Sequence, residues 1–379
     1  MKKIFKNLFQ LISFVQIPKS DKRIVFYSEG KDTWVHMEGI IIELLKITEA
    51  DIFYISSDVD DPGLKLDNEN YKAFIIEPGH VLNWLFSNIK TDLMIMTTPD
   101  LNNFQLKVSK YKVHYIYIQH SLVSLHMAYK NGAFDYYQTV FCAGPHHIEE
   151  MKVIERMRGL LPKNLFEHGY SKLDGIINKG NNHKKSSDKR RHILIAPSWG
   201  SQSIIDTVGD KVIEILLGDG FMVTLRPHPQ TIKLSKNKIV KILDKYRTNS
   251  LFFYEPDITS QASLNESDLM ISDWSGAALD YAFGLNKPIL FIDVPKKVNN
   301  PEYLKIKINP LEVKVRSEIG EVLPLDRLDN LTDSINNILE NFDKEKQISI
   351  KNKTVFNIGK ADIIGAEKIH EILNNIVKQ

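Results

Sequence analysis

The segment 268–293, DLMISDWSGAALDYAFGLNKPILFID, compresses an apolar strand, a polar turn, a helix-compatible run and a second apolar strand into one continuous unit. That order predicts a parallel βα pair, because parallel neighbours need a crossover and a helix is its usual content. The turn carries Ser272, Asp273 and Ser275 at the expected carboxyl end of the strand, immediately before AALDYAFGL. Free amides at a helix start, with the positive end of its dipole, favour a phosphate. Ser275 can accept from an amide as an N-cap or turn its hydroxyl to a ligand, and Gly276 lets another group approach the backbone closely. Taken alone, the segment fits an ordinary capped helix in a parallel sheet equally well.

The same alternation runs along most of the chain. RIVFYSEG, followed by the helix-like WVHMEGIIIELLKI, reads as a βα unit. Further strands are expected at 51–56, 73–76, 93–97, 113–119 and 139–143. Continuous apolar strands of this kind belong to a sheet covered on both faces. The run 178–190, NKGNNHKKSSDKR, is polar and basic, as a linker is. A second α/β series then begins, with strands expected at 192–196, 222–225, 251–254, 269–272 and 288–292. The expected fold is α/β, with two doubly wound domains and a ligand cleft between their strand carboxyl ends. Its divisions are an amphipathic N-terminal segment (1–20), a first domain (21–177), the linker (178–190), a second domain (191–355) and a C-terminal segment (356–379). The last contains an amphipathic helix near 361–377 that could pack on the first domain.

Composition narrows the partners. A chain of 379 residues with 43% hydrophobic content is long enough for two ordinary domains. Its 49 basic and 47 acidic residues leave a formal charge of +2, so no global field points to nucleic acid. The single cysteine, Cys142, sits in the apolar run QTVFCAG, cannot form an intrachain disulfide and fits a buried thiol in a reducing compartment. No apolar run reaches the ~18 to 20 residues that span a bilayer. At the N-terminus, Ile4, Phe5, Leu8, Phe9, Ile12 and Val15 make one apolar helical face near Lys2, Lys3 and Lys6, without a cleavage site for a secretory signal. This face either lies on an anionic membrane surface or packs on the protein's own body. The expected location is cytoplasmic, peripheral at the inner face of the membrane.

Polar residues fitted for chemistry fall just after expected strands. YIYIQHS sets His120 and Ser121 there, and VTLRPHPQ sets Arg226 and His228 between stiffening prolines. Two imidazoles and a guanidinium supply a base, an acid and a permanent cation. Asp58, Asp60 and Asp61 include the Asp-x-Asp spacing of metal-dependent glycosyltransferases but read better as a solvated turn. His146 and His147, before Glu149 and Glu150, fit a helix start near the cleft better than a zinc site. No metal site is expected, and the Walker and GxGxxG patterns are absent.

Taken in order, QHS, CAGPHHIEE, GYSKLD, ILIAPSW, LRPHP and SDWSGAALDYAFGLNKPILFID resemble the CDP-glycerol glycerophosphotransferase family of wall and capsule polymer synthesis, over about 113–293. The resemblance implies two Rossmann-like domains in a GT-B arrangement with an interdomain cleft. It implies transfer of a polyol phosphate from a CDP-activated donor to a hydroxyl of a lipid-linked or growing glycan acceptor, with CMP leaving. CDP-glycerol or a related CDP-polyol is then the donor substrate, with no tightly bound cofactor. His120 becomes the base for the acceptor hydroxyl, and His228 stabilises or protonates the departing phosphate. Arg226 and the Ser275, Gly276 and Ala277 helix start hold the pyrophosphate. Ser272 lies beside them, Asp273 orients a histidine or the helix start, and the 169–174 turn lines the cleft. Two positions depart from the family pattern: Ser121 stands where a glycine is expected, and Gly276 where a second serine is expected. These departures leave CDP-ribitol or another activated polyol open as the donor in place of CDP-glycerol. A sugar-transferring GT-B enzyme and a catalytically weakened interaction protein on the same fold are the alternatives.

Overall fold

A computed structural model of the chain describes residues 2–103, 106–181 and 190–377. Seven strands build the first sheet: β1 (Ile24–Ser28), β2 (Ile52–Ser56), β3 (Tyr71–Ile75), β4 (Leu93–Met96), β5 (His114–Ile118), β6 (Thr139–Cys142) and β7 (Asn164–Glu167). Six build the second: β8 (His192–Ile195), β9 (Met222–Leu225), β10 (Phe252–Tyr254), β11 (Leu269–Ser272), β12 (Ile289–Asp293) and β13 (Gly320–Pro324). Every pairing is parallel. The fold is thus two parallel-sheet α/β domains, as the apolar runs indicate.

The strand orders, β3-β2-β1-β4-β5-β6-β7 and β10-β9-β8-β11-β12-β13, reverse direction between β1 and β4 and again between β8 and β11. Such a reversal opens a crevice at the strand carboxyl ends, because the crossovers on its two sides leave in opposite directions. The inner strands are buried on both faces, which is why their sequences run apolar without alternation. Two strands have no counterpart among the expected ones. β7 (NLFE) and β13 (GEVLP) are edge strands, partly exposed, and so lack the continuous apolar run that marks the others.

The N-terminal helix Lys2–Gln16 divides its apolar residues between two environments. Leu11 and Phe14 are buried, with Phe14 edge-on to Phe53 and Phe74 and Lys22 donating to its carbonyl. Leu8, Phe9, Ile12 and Val15 are exposed. From Leu8 onward the stripe legible in the sequence is therefore the outward one, and the helix is held by Leu11 and Phe14.

After the second domain the chain returns to the first. The Phe356 amide donates to the Ala143 carbonyl at 2.9 Å, and Asp174 accepts from the amides of Gly359 and Ala361 at 2.7 and 3.0 Å. The helix Ala361–Val377 then lies along the helix Glu38–Ile47, sharing a core of Ile369, Ile372 and Leu373 with Ile40, Ile41 and Leu44. The run 178–190 falls largely outside the described residues, and its first four residues complete the helix Ser171–Asn181.

The return crossing passes very close to Gly144, where an added Cβ would lie 1.9 Å from the Thr354 carbonyl oxygen. Because that obstacle is backbone, relief requires the crossing itself to move. Gly144→Ala is expected to lower stability by about 1–3 kcal/mol, the usual cost of overpacking. Chemical denaturation measures it, and an unchanged midpoint would show that the crossing is not tightly held.

Candidate active site

The carboxyl ends of the two sheets face each other across a cleft of about 410 Å³. The first domain lines it with His120, Ser121, Tyr129, Tyr170 and Lys172. The second contributes Trp199, Arg226, His228, Trp274, Lys297 and the Ser275 to Ala277 turn. The loops after β8, β9 and β11 meet there because those strands are neighbours in the sheet.

His120 follows β5 and is boxed by aromatic rings. Its Nδ1 lies 2.9 Å from the Tyr117 hydroxyl and its Nε2 lies 3.4 Å from that of Tyr129, while the buried His36 ring stands edge-on at 6.1 Å. Tyr170 donates to the His120 carbonyl at 2.9 Å. Burial in this box lowers the His120 imidazole to about 4, with Lys172 acting in the same direction against the Thr97 carbonyl. The ring is therefore neutral at neutral pH and keeps one lone pair.

His228 caps the helix Pro229–Leu234, accepting from the Gln230 amide at Nδ1 over 3.1 Å. That bond fixes the tautomer: Nδ1 carries the lone pair and Nε2 the proton. Burial, then Lys297 and Lys172, lower this imidazole also to about 4. His228 is thus suited to donate a hydrogen bond as a neutral ring.

The residues of the 272–277 turn divide by direction. Ser272 is fully buried and donates to the Ala196 carbonyl at 2.7 Å. Asp273, 1% exposed, accepts from the Ser198 amide at 2.7 Å and the Ile204 amide at 3.0 Å. Neither side chain faces the cleft, which corrects their expected places beside a ligand. Asp273 orients no histidine either; it anchors the loop after β8 and the start of the helix Ile204–Thr207. Ser275, Gly276 and Ala277 do line the cleft, with Ser275 capping the helix Gly276–Leu285 by accepting from the Ala277 amide at 3.3 Å. Arg226 reaches the cleft wall, but its guanidinium is already engaged by Glu255 at 3.3 Å, the Ile258 carbonyl at 2.7 Å and Ser263 at 3.4 Å.

Two cations were not singled out from the sequence. Lys297, in the loop after β12, stands 4.0 Å above the Trp199 ring and makes no salt bridge among the described residues. Burial lowers its amine to about 8 against the pull of Asp273. Lys172, within the GYSKLD turn, pairs with Asp280 of the Gly276–Leu285 helix at 2.8 Å and so bridges the domains. The signal for Lys297 was the rule that found His120 and Arg226, a polar residue just past a strand.

The weaker constellations are structural. His146 and His147 bond the Leu122 and Val123 carbonyls, each at 2.9 Å, from the start of the helix Pro145–Arg158. Asp60 is exposed in a turn, but Asp61 departs from a solvated turn: it is buried and accepts from Ser28, Ser56, Tyr54 and the Gly63 amide. Cys142 is buried in the core, and burial pushes its thiol up. Among the described residues, no group of three or more His, Cys, Asp or Glu is arranged to hold a metal ion.

Comparison with known proteins supplies the family. Residues 8–297 match the family model described as CDP-Glycerol:Poly(glycerophosphate) glycerophosphotransferase. No curated protein sequence matches the chain. Among solved structures, the chain is similar to a histidine-substituted form of the wall teichoic acid polymerase TagF soaked with CDPG. That likeness has a TM-score of 0.60 at 16% identity and covers 99% of this chain and 95% of that one. It is also similar to the UDP-GlcNAc 2-epimerase of Methanocaldococcus jannaschii bound to UDP-GlcNAc and UDP, with a TM-score of 0.57, 14% identity and coverage of 93% and 99%. A third likeness is to S. aureus MnaA with UDP, with a TM-score of 0.58, 10% identity and coverage of 94% and 97%. These structural likenesses show the two-domain, GT-B-like fold, and the family match spans most of the chain: the protein belongs to the CDP-glycerol:poly(glycerophosphate) glycerophosphotransferase family.

Proposed function

We propose that the cleft transfers a polyol phosphate, glycerol phosphate or a relative such as ribitol phosphate, from a CDP-activated donor. The acceptor is a hydroxyl of a lipid-linked or growing glycan in cell-envelope polymer synthesis. The observation that carries this reading is a neutral histidine, His120, on one wall of the cleft facing an amide-rich helix start, Ser275 to Ala277, on the other.

The acceptor oxygen attacks the donor's β-phosphorus and a new P–O bond forms. The bond from that phosphorus to the oxygen bridging the α-phosphate breaks, and CMP departs with the electron pair. His120 takes the acceptor's proton on the ring nitrogen that holds its lone pair. His228 gives its Nε2–H to a phosphate oxygen, steadying charge by a hydrogen bond rather than by surrendering a proton. The helix start and Lys297 hold the diphosphate oxygens, while Arg226 and Lys172, paired with Glu255 and Asp280, shape the walls. Ser272 and Asp273 act beneath them as positioning residues. Phosphoryl transfer asks little covalent chemistry of a protein, so placement and charge stabilisation do most of the catalysis.

Membrane contact fits an acceptor carried on a lipid. Among the described residues no helix is long and apolar enough to cross a membrane. Leu8, Phe9, Ile12 and Val15 instead form an exposed apolar stripe, and Trp84 is exposed on the neighbouring helix His80–Asn88. With the basic N-terminal sequence, that surface suits the anionic inner face of a cell membrane.

Incubation with CDP-glycerol, CDP-ribitol and several UDP-sugars, followed by identification of the released nucleotide, tests the reaction. CMP release with phosphopolyol transfer is expected; UDP release with sugar transfer would defeat the proposal in favour of a glycosyltransferase. His120→Ala and His228→Ala should each cut kcat by about a thousandfold while the chain still folds cooperatively. Near-normal turnover in both variants would remove them from the mechanism. For the membrane, Phe9→Ser with Ile12→Ser is expected to abolish sedimentation with anionic phospholipid vesicles while sparing Leu11 and Phe14, which hold the helix. Undiminished sedimentation would rule out this surface.

A further inference from the structure

Ser121, just past β5 in the first domain, and Gly276, at the start of the Gly276–Leu285 helix in the second, both line the cleft and meet where the domains face each other. A Cβ added to Gly276 would stand 2.6 Å from Ser121 Oγ but 3.8 Å from Ser121 Cβ, so the hydroxyl alone fills the space that a side chain at 276 would take. We infer that Ser121 supplies, from the first domain, a phosphate-binding hydroxyl at the start of the Gly276–Leu285 helix, and that this pair is a determinant of donor binding. The inference rests on the donor reading above and adds a condition to it: the phosphate pocket is complete only when the two domains are in register.

The loop that carries Ser121 is held well enough for one hydroxyl to matter. His146 and His147 fasten the carbonyls of Leu122 and Val123. Ser124, three residues on, gives both its amide and its hydroxyl to the Glu312 carboxylate of the second domain, each at 2.8 Å. Ser121 Oγ itself accepts only a long bond from the Val123 amide, at 3.4 Å. Ser275 Oγ, by contrast, already serves as the helix cap. Ser121 is therefore the hydroxyl at this helix start that is neither capping nor buried in the domain, and it keeps its proton for a phosphate oxygen. Placing serine at both positions leaves too little room for two hydroxyls.

The test is a reciprocal exchange in the full chain: Ser121→Gly, Gly276→Ser and the double variant, with kcat and donor KM measured using CDP-glycerol or whichever CDP-polyol the unaltered chain turns over. Each single change should raise donor KM by about tenfold with a smaller effect on kcat, the scale of one hydrogen bond to a charged group. The double variant should return to within about threefold of the unaltered KM, since the space and one hydroxyl are both restored. Multiplying losses in the double variant, or an unchanged KM in Ser121→Gly, would overturn the inference. A chain that turns over no CDP-polyol would defeat the donor reading instead, and with it the inferred role. The unfolding midpoint separates the two failures, because Gly276→Ser should still lower it and Ser121→Gly should still restore it if the contact is as described.

Discussion

The carboxylate of Asp273 fixes the geometry on which the second domain's half of the cleft depends. Moving a charge into a site only 1% exposed is costly, and two short bonds from the Ser198 and Ile204 amides offset that cost while tying the exit of β11 to the exit of β8. Ser272 adds a parallel tie to Ala196. The next residue extends the chain of constraint: Trp274 donates from Nε1 to the Val294 carbonyl at 2.9 Å, and the Arg316 guanidinium covers its ring at 3.9 Å. The loop beyond Val294 carries Lys297, which rests on Trp199, one residue past Ser198. A single turn, DWSG, thereby sets three walls of the cleft.

Burial gives that cleft its chemical character. Both histidines are neutral because desolvation penalises their charged forms, and nearby lysines push in the same direction. Positive charge without a carboxylate partner among the described residues stands instead on Lys297, while Arg226 and Lys172 are paired with Glu255 and Asp280. This separation of roles suits a phosphoryl transfer. The group that takes a proton has to be uncharged beforehand, whereas the groups that balance the phosphates have to be charged throughout.

Much of this was legible in the chain itself, for identifiable reasons. Buried parallel strands read as unbroken apolar runs, so 24–28, 52–56 and 269–272 announce themselves, while the edge strands β7 and β13 do not. A strand followed by a polar turn locates residues at the carboxyl end, and His120, Ser275 and Gly276 do stand on the cleft. Sequence does not say which way a turn residue points. Ser272 and Asp273 face inward because the turn's backbone directs them toward the neighbouring loop, and Arg226 is engaged by Glu255, whose arrival depends on the path after β10. Amphipathicity likewise marked the N-terminal stripe without revealing that Leu11 and Phe14, outside it, anchor the helix.

The most direct measurement is the pH dependence of kcat/KM with saturating acceptor, which reports the ionisation of the free enzyme's base. A neutral His120 in a desolvated tyrosine box keeps kcat/KM level as the pH falls below neutrality, with the acidic limb descending only near pH 4, and His120→Ala should remove that limb with the activity. An acidic limb centred at 6.5, the ordinary histidine value, would contradict a neutral base held in the tyrosine box.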